Sequence, residues 1–260
     1  MKAFFLAIFD YMIRIFLICL LLSALPALQG QNQVDEEGRK TGHWKVEYPN
    51  GKTQYEADFV EGRPHGEMIR YYEKGGIRAR MQFEAEGSRS FTQLYYESGK
   101  LAAEGIYVNQ VKDSVWTYYS DFDGSVRSRE DYLAGKQEGM SQSYYPSGEI
   151  SEEVQWKQNE KDGSWKQYYT NGVQRLSAYF EKGQLQGSYE LYFSTGHIKI
   201  RGTYLNNRSH GTWRFYDESG KEVFALEYVN GTPANLEEYA NWIQDSLEKY
   251  ELVTQPESFQ

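Results

Sequence analysis

Residues Gly163 to Gly183, GSWKQYYTNGVQRLSAYFEKG, decide how the rest of the chain is read. Two runs rich in aromatic residues flank Asn171-Gly172, a dipeptide that favours the positive φ angles of a tight hairpin turn, so the stretch reads as strand, turn, strand. The same spacing recurs along the chain. Units begin at Gly42, Gly66, Ser90, Ser114, Gly139, Gly163, Gly187 and Gly211, 24 residues apart except for one step of 25 that coincides with an extra residue in the turn Asp121-Phe122-Asp123-Gly124. A period this strict predicts an array of stacked units, each packed chiefly on its neighbours.

Columns of like residues run through the units. The turn glycine is present in all eight, at Gly51, Gly75, Gly99, Gly124, Gly148, Gly172, Gly196 and Gly220. A second turn column, between units, runs Gly38, Gly62, Glu86, Gln110, Gly135, Asn159, Gly183, Asn207 and Gly231, mostly residues that tolerate left-handed geometry. The first strand of a unit carries Tyr71, Tyr95, Tyr119, Tyr144, Tyr168, Tyr192 and Tyr216. Its neighbouring column, Tyr48, Tyr72, Tyr96, Tyr145, Tyr169 and Phe193, shares parity with Trp44, Trp116, Trp165 and Trp213. Adjacent strand residues point to opposite faces, so the two columns lie on opposite sides of the sheet. The second strand alternates an aromatic and small or apolar residues (Ala57 with Phe59, Ala178 with Phe180) with polar ones (Glu56, Asp58, Gln155), which predicts one packed and one wet face.

The expected fold is therefore an all-β repeat protein, an elongated antiparallel sheet of about eight stacked β-hairpins over residues 42–231. A lead-in at 31–41 precedes it and a C-terminal capping helix at 232–251 follows. The helix rests on Leu236, Tyr239, Ile243, Leu247 and Tyr250 recurring at three or four residues, with Asn235 and Glu238 as a capping pair. Repeat arrays need a terminal element over their last apolar face. Residues 252–260 read as a disordered tail.

Residues 1–30 read as a secretory signal peptide. An apolar core from Ile13 to Leu22 follows Arg14 and leads into small residues and Pro26, too short an apolar run for a comfortable membrane span. Met12 is an alternative start to Met1. The expectation is export, to a periplasmic, outer-membrane-associated or extracellular location, with no transmembrane segment after cleavage. Cys19, the only cysteine, lies inside the apolar core, so the mature chain forms no disulfide; Ile18 before it departs from the small residue that lipidation needs. The net charge of -9 excludes nucleic acid as a partner on electrostatic grounds.

The pattern Gly-x-Trp-x-x-Tyr-Tyr-x-x-Gly, followed by an aromatic and Gly-x-x-x-Gly, as it stands in Gly163 to Gly187, resembles the MORN-repeat variant of bacterial proteins. The resemblance covers Gly38 to Gly231 and implies a scaffold whose members share little function. Some relatives carry a toxin-antitoxin label, and eukaryotic members are linked to membranes and to protein scaffolding. Ser90 and Ser114 at the leading glycine, Thr92 and Ser141 at the Trp slot and Asp217 at the second aromatic depart from the pattern. Choline-binding and glucan-binding cell-wall repeats are a second resemblance, since aromatic faces cage quaternary ammonium groups and stack on sugars.

No constellation reaches a catalytic, cofactor or metal assignment. His65 and His210 hold equivalent slots six units apart, roughly 60 Å at the usual strand spacing, and cannot share a metal. Ser246-Leu247-Glu248-Lys249 matches Ser-x-x-Lys but lacks its companion motifs. The expected function is that of an exported, non-enzymatic scaffold binding a protein partner at the cell envelope. A cell-wall or glycan binder and an antitoxin-like neutralising partner are the alternatives. The candidate binding surface is Trp44, Trp116, Trp165, Trp213, Tyr71, Tyr95, Tyr168 and Tyr192. Oligomeric state is not specified by the sequence.

Overall fold

The computed structural model describes residues 30–84, 86–234 and 236–249. The proposed signal peptide, Gly30 apart, Asn235 of the capping pair and the proposed tail lie outside the described residues.

Eight hairpins follow one another. They are β2 (Lys40–Glu47) with β3 (Thr53–Val60), β4 (Arg63–Tyr71) with β5 (Ile77–Phe83), β6 (Arg89–Tyr95) with β7 (Leu101–Val108), and β8 (Val111–Tyr119) with β9 (Val126–Leu133). Next come β10 (Lys136–Tyr144) with β11 (Ile150–Lys157) and β12 (Glu160–Tyr168) with β13 (Gln174–Glu181). A strand interrupted at Gln186, β14 (Gln184–Leu185) plus β15 (Gly187–Tyr192), pairs with β16 (Ile198–Leu205), and β17 (Arg208–Tyr216) with β18 (Glu222–Val229). The second strand of each unit also pairs antiparallel with the first strand of the next, giving one open sheet of 19 strands among the described residues. The two-residue strands β1 (Gln33–Val34) and β19 (Thr232–Pro233) lie at its ends.

Two kinds of turn alternate. Within a unit the turn has three residues: Gly172 N donates to Tyr169 O at 2.9 Å, Tyr169 N donates to Val173 O at 2.8 Å, and a one-residue register shift follows at Gln167/Tyr168. Asn171 does not take positive φ there. Only Gly172 does, at φ 79°, while the Asn171 side chain accepts from Val173 N at 3.1 Å and donates to Ser194 O of the next unit at 3.0 Å. The loop is a type I turn closed by a glycine bulge, so the asparagine serves as a side-chain clasp. The two-residue turn with both residues at positive φ occurs between units, as at Lys182 (φ 50°) and Gly183 (φ 78°) or Asn206 (50°) and Asn207 (64°).

After the inter-unit turn the leading residue bulges. Gly42, Gly66, Ser114, Gly139, Gly163, Gly187 and Gly211 all have positive φ, and where a preceding full strand exists the register slips beside them. At Gly163 an added Cβ would stand 2.1 Å from Gln155 Oε1, which accepts Ser164 N at 3.0 Å. Ser90 is the exception: β5 and β6 pair without a shift, and the turn between them is longer, with Gly87 (φ 68°) in place of Glu86 as its left-handed residue. The residues that a bulge would absorb have moved into the loop, so the 24-residue count survives.

The packed face carries the Trp column. Trp116, Trp165 and Trp213 are 0%, 4% and 2% exposed, which decides that they are core. Each indole lies against rings of its own and adjacent units: Trp116 to Tyr107 at 4.8 Å, Trp165 to Phe180 at 5.5 Å, Trp213 to Tyr204 at 5.1 Å and to Tyr228 at 5.8 Å. The indole N–H groups of Trp116 and Trp213 donate to Ile106 O (3.0 Å) and Thr203 O (3.2 Å), carbonyls beside register shifts. The rings lie flat over glycine: a Cβ on Gly105 would meet Trp116 at 2.5 Å, and one on Gly202 would meet Trp213 at 2.2 Å. At the far end the helix α1 (Leu236–Lys249) lays Trp242 on Phe224 at 4.5 Å, stacked, and on Phe215 at 5.1 Å, covering rings that have no further hairpin beyond them.

Gly105 has ordinary φ, so its replacement tests close approach alone. Gly105→Ala is expected to lower unfolding stability by about 1–3 kcal/mol through displacement of the Trp116 ring, read as a lower urea midpoint with an unchanged slope.

Candidate interaction surface

Of the residues singled out in the sequence, the structure separates tryptophan from tyrosine. Trp116, Trp165 and Trp213 are buried and Trp44 is half-buried, its indole donating to Gln33 O of the lead-in at 3.0 Å. Three of these rings are also occupied by the chain's own lysines. Lys40 sits 4.5, 5.3 and 4.9 Å from the centroids of Trp44, Tyr55 and Phe59. Lys112 sits 5.1, 4.9 and 4.9 Å from Trp116, Tyr118 and Tyr132, and Lys161 5.8, 5.4 and 5.1 Å from Trp156, Trp165 and Phe180. Burial among these rings pushes the Lys112 ammonium pKa down, with the Glu130 carboxylate opposing the shift. The aromatic cages are thus internal cation sites.

Tyr71, Tyr95, Tyr168 and Tyr192 lie on the other, wetter face, half-buried, with their hydroxyls in a carboxylate and amide network. Tyr71 donates to Glu56, Tyr168 to Glu153 at 2.7 Å and Tyr192 to Glu190 at 2.5 Å. Tyr119, of the same column, donates to Glu104 at 2.6 Å. The network repeats across units: Tyr95 to Gln93 (3.1 Å) and Gln93 to Glu104 (3.2 Å) are matched by Tyr144 to Gln142 (2.9 Å) and Gln142 to Glu153 (2.8 Å). Desolvation first, and the neighbouring carboxylate second, push Tyr71, Tyr119, Tyr168 and Tyr192 up to about 12.

The neighbouring tyrosine column binds units together through the backbone. Tyr48, Tyr72, Tyr96, Tyr145 and Tyr169 donate to the carbonyls of Tyr71, Tyr95, Tyr119, Tyr168 and Tyr192, at 2.8, 2.5, 2.8, 2.6 and 2.7 Å. Each bond reaches 23 residues on, to the start of the next unit's turn.

The sequence reading did not single out an apolar patch on the wet face of units three and four. Phe91, Val111, Val115 and Leu133 are 44, 42, 50 and 55% exposed, so more than a third of each meets solvent. Phe91 stands opposite Ile106 and Val108 opposite Val111, so apolar pairs run from β6 to β8, and Val115 stands opposite Asp131 of β9. The signal was present. The slot after the leading residue is His43, Glu67, Met140, Ser164, Ser188 or Thr212 in the other units, and it is Phe91 and Val115 here.

Among the described residues no group of three or more His, Cys, Asp or Glu side chains is gathered for a metal ion, and no helix is long and apolar enough to cross a membrane. The MORN repeat variant profile matches residues 40–61, 64–85, 92–109, 137–158, 161–173, 185–206 and 209–230, together more than half of the chain. The unmatched stretch between 109 and 137 is the unit with Ser114 at its head and the longer turn. No curated protein matches the chain.

The tyrosine network gives a pH dependence with a definite sign. An unfolded tyrosine ionises near 10.0, whereas Tyr71, Tyr119, Tyr168 and Tyr192 stay protonated in the fold until about 12. Their contribution is complete below the unfolded value and is lost as pH rises through the folded one. The urea midpoint is expected to fall steadily between those two values, and Tyr168→Phe to flatten that fall while leaving the neutral-pH slope unchanged.

Proposed function

Because the chain belongs to the MORN repeat variant family, hairpin scaffolds that are generally non-catalytic, we propose that it is an exported scaffold that binds a protein partner at the cell envelope through the wet face of units three and four. The single observation that carries this reading is the exposed patch of Phe91, Val111, Val115 and Leu133, on a face where the slot after the leading residue is polar in five of the other six units, Met140 being the sixth. Monomeric surfaces rarely leave contiguous apolar area uncovered, and such patches rimmed by polar residues mark protein contacts. Here the rim is supplied by Asp113, Asp131, Arg89 and Glu104.

Export is supported by the apolar core from Ile13 to Leu22 and the small residues after it. A scaffold role is supported by the geometry of the array, which presents a ladder of polar networks along its wet face. Occupation of the Trp cages by Lys40, Lys112 and Lys161 weighs against a choline-type or glycan-stacking mode on those rings.

Photo-crosslinking in intact cells tests the reading. A benzoylphenylalanine at Val115 is expected to give a discrete adduct in the envelope fraction that is absent when the probe sits at Lys199, and Phe91→Asp is expected to reduce that adduct several-fold without loss of the folded β signal. No adduct at Val115, or equal adducts at both positions, would sink it.

A further inference from the structure

The first strand of the array lacks the neighbour that every later first strand has. In units two to eight the residue three places after the leading position is paired with a residue of the preceding second strand, from Ile69 opposite Glu56 in unit two to Arg214 opposite Arg201 in unit eight. The equivalent residue in unit one is Lys45. Before it stands only the two-residue β1, whose pairing reaches Lys40 and Thr41 and no further.

Asn32 takes over from there with its side chain. Its carboxamide oxygen accepts from Lys45 N at 2.8 Å and its carboxamide nitrogen donates to Lys45 O at 2.9 Å, the two bonds that a strand peptide exchanges with the residue opposite. Its own N–H donates to His43 O at 2.9 Å. Asn32 has φ 61°, so the main chain leaves β2 at the point where the carboxamide continues the ladder. Asparagine is among the few residues other than glycine that take this backbone readily.

The rest of the lead-in holds Asn32 in place. Asp35 N donates to Arg39 O at 2.9 Å and Gly38 N to Asp35 O at 3.0 Å, the bonding of the turns within units. The Asp35 carboxylate accepts from Arg39 N and Nε, both at 2.8 Å, and Gln33 O accepts the Trp44 indole. Trp44 is nevertheless only half-buried, where Trp116, Trp165 and Trp213 are buried, because β1 covers less than a full second strand does.

β2 is eight residues long and contains no proline, so without the lead-in its outward backbone groups at His43 and Lys45 would template a further strand. The other end of the sheet is closed differently. There β19 and Ala234, whose N–H donates to Glu227 O at 2.8 Å, take up part of the edge of β18, and Trp242 of α1 lies over its rings. The edge that an uncapped chain offers is therefore β2, and two copies of one edge meet about a two-fold axis, which closes as a dimer.

We propose that the lead-in is an autoinhibitory cap, in which the Asn32 carboxamide stands in for a missing strand and keeps β2 from pairing with β2 of a second copy. All the bonds over His43 and Lys45 run through this one residue, so a single substitution opens the edge. The inference is independent of the partner reading, since it uses neither the apolar patch nor the wet-face tyrosines.

The test is Asn32→Gly in the otherwise unchanged protein, because glycine keeps the left-handed backbone and removes only the carboxamide. Sedimentation velocity is expected to show a monomer for the parent and a dimer for Asn32→Gly, with self-association at least about tenfold tighter. Hydrogen exchange of the Lys45 amide is expected to speed up in dilute Asn32→Gly and to slow again in the dimer. Amides of β4 to β18 should exchange as in the parent, which reports an intact fold. Adding Lys45→Pro should restore the monomer, since proline there removes an outward donor and no bond to β3. A parent that is already dimeric, a monomeric Asn32→Gly, polymers in place of a dimer, a dimer that survives Lys45→Pro or one that is lost on Phe91→Asp would each overturn the proposal.

Discussion

A sheet one layer thick has no second layer to bury its apolar face, and everything else in this protein follows from how the rings substitute for it. Trp116 is fully covered because Tyr107, Tyr118 and the Lys112 stem close around it and Gly105 lets it lie flat on the backbone. Aromatic pairs of this kind are worth roughly 0.5–1.5 kcal/mol each beyond the area they bury, and a hairpin alone would hold only its own. The cover therefore comes from adjacent units. The last hairpin has none beyond it, which is why Trp242 of the helix has to stack on Phe224 and Phe215.

That dependence explains why the period is held so strictly while the residues are not. A ring can cover its neighbour's backbone only if both units are in register, so any residue gained in one place has to be absorbed in another. Unit three does this by trading the bulge at its leading position for a longer turn around Gly87. Unit four takes its extra residue into the turn near Phe122, which is 91% exposed and disturbs nothing beneath. The tyrosine hydroxyls that donate 23 residues ahead enforce the same register from the turn side of the sheet.

The hairpins, their boundaries and the two-faced second strand could be read from the sequence because each depends on local spacing: a glycine column and an alternation of period two are visible without knowing what lies alongside. Turn chemistry was only half readable. Asn171 looked like a residue of positive φ, yet its carboxamide clasps Val173 and Ser194, and the left-handed pairs sit between units instead, at Lys182 and Gly183 for example. Exposure was not readable at all for the aromatic columns. Whether Trp165 faces solvent depends on Phe180 of the next strand, on Lys161 lying back over the ring and on the neighbouring backbone, and the spacing of the column does not say which of its faces they cover.

In such an array, recognition has to come from the units that break the pattern, because the units that keep it spend their distinctive side chains on one another. The indoles of Trp116, Trp165 and Trp213 are buried, three cages hold lysines already, and wet-face tyrosines such as Tyr119 and Tyr168 are tied to glutamates. What remains unspent is the apolar patch around Phe91 and Val115, side chains that stand where most units have a polar residue. It falls in units three and four, near the middle of the sheet, with further units on both sides. A repeat scaffold built this way separates its tasks by position, with register kept at the ends and specificity written in the centre, where loss of a stacking partner is supported by intact neighbours on either side.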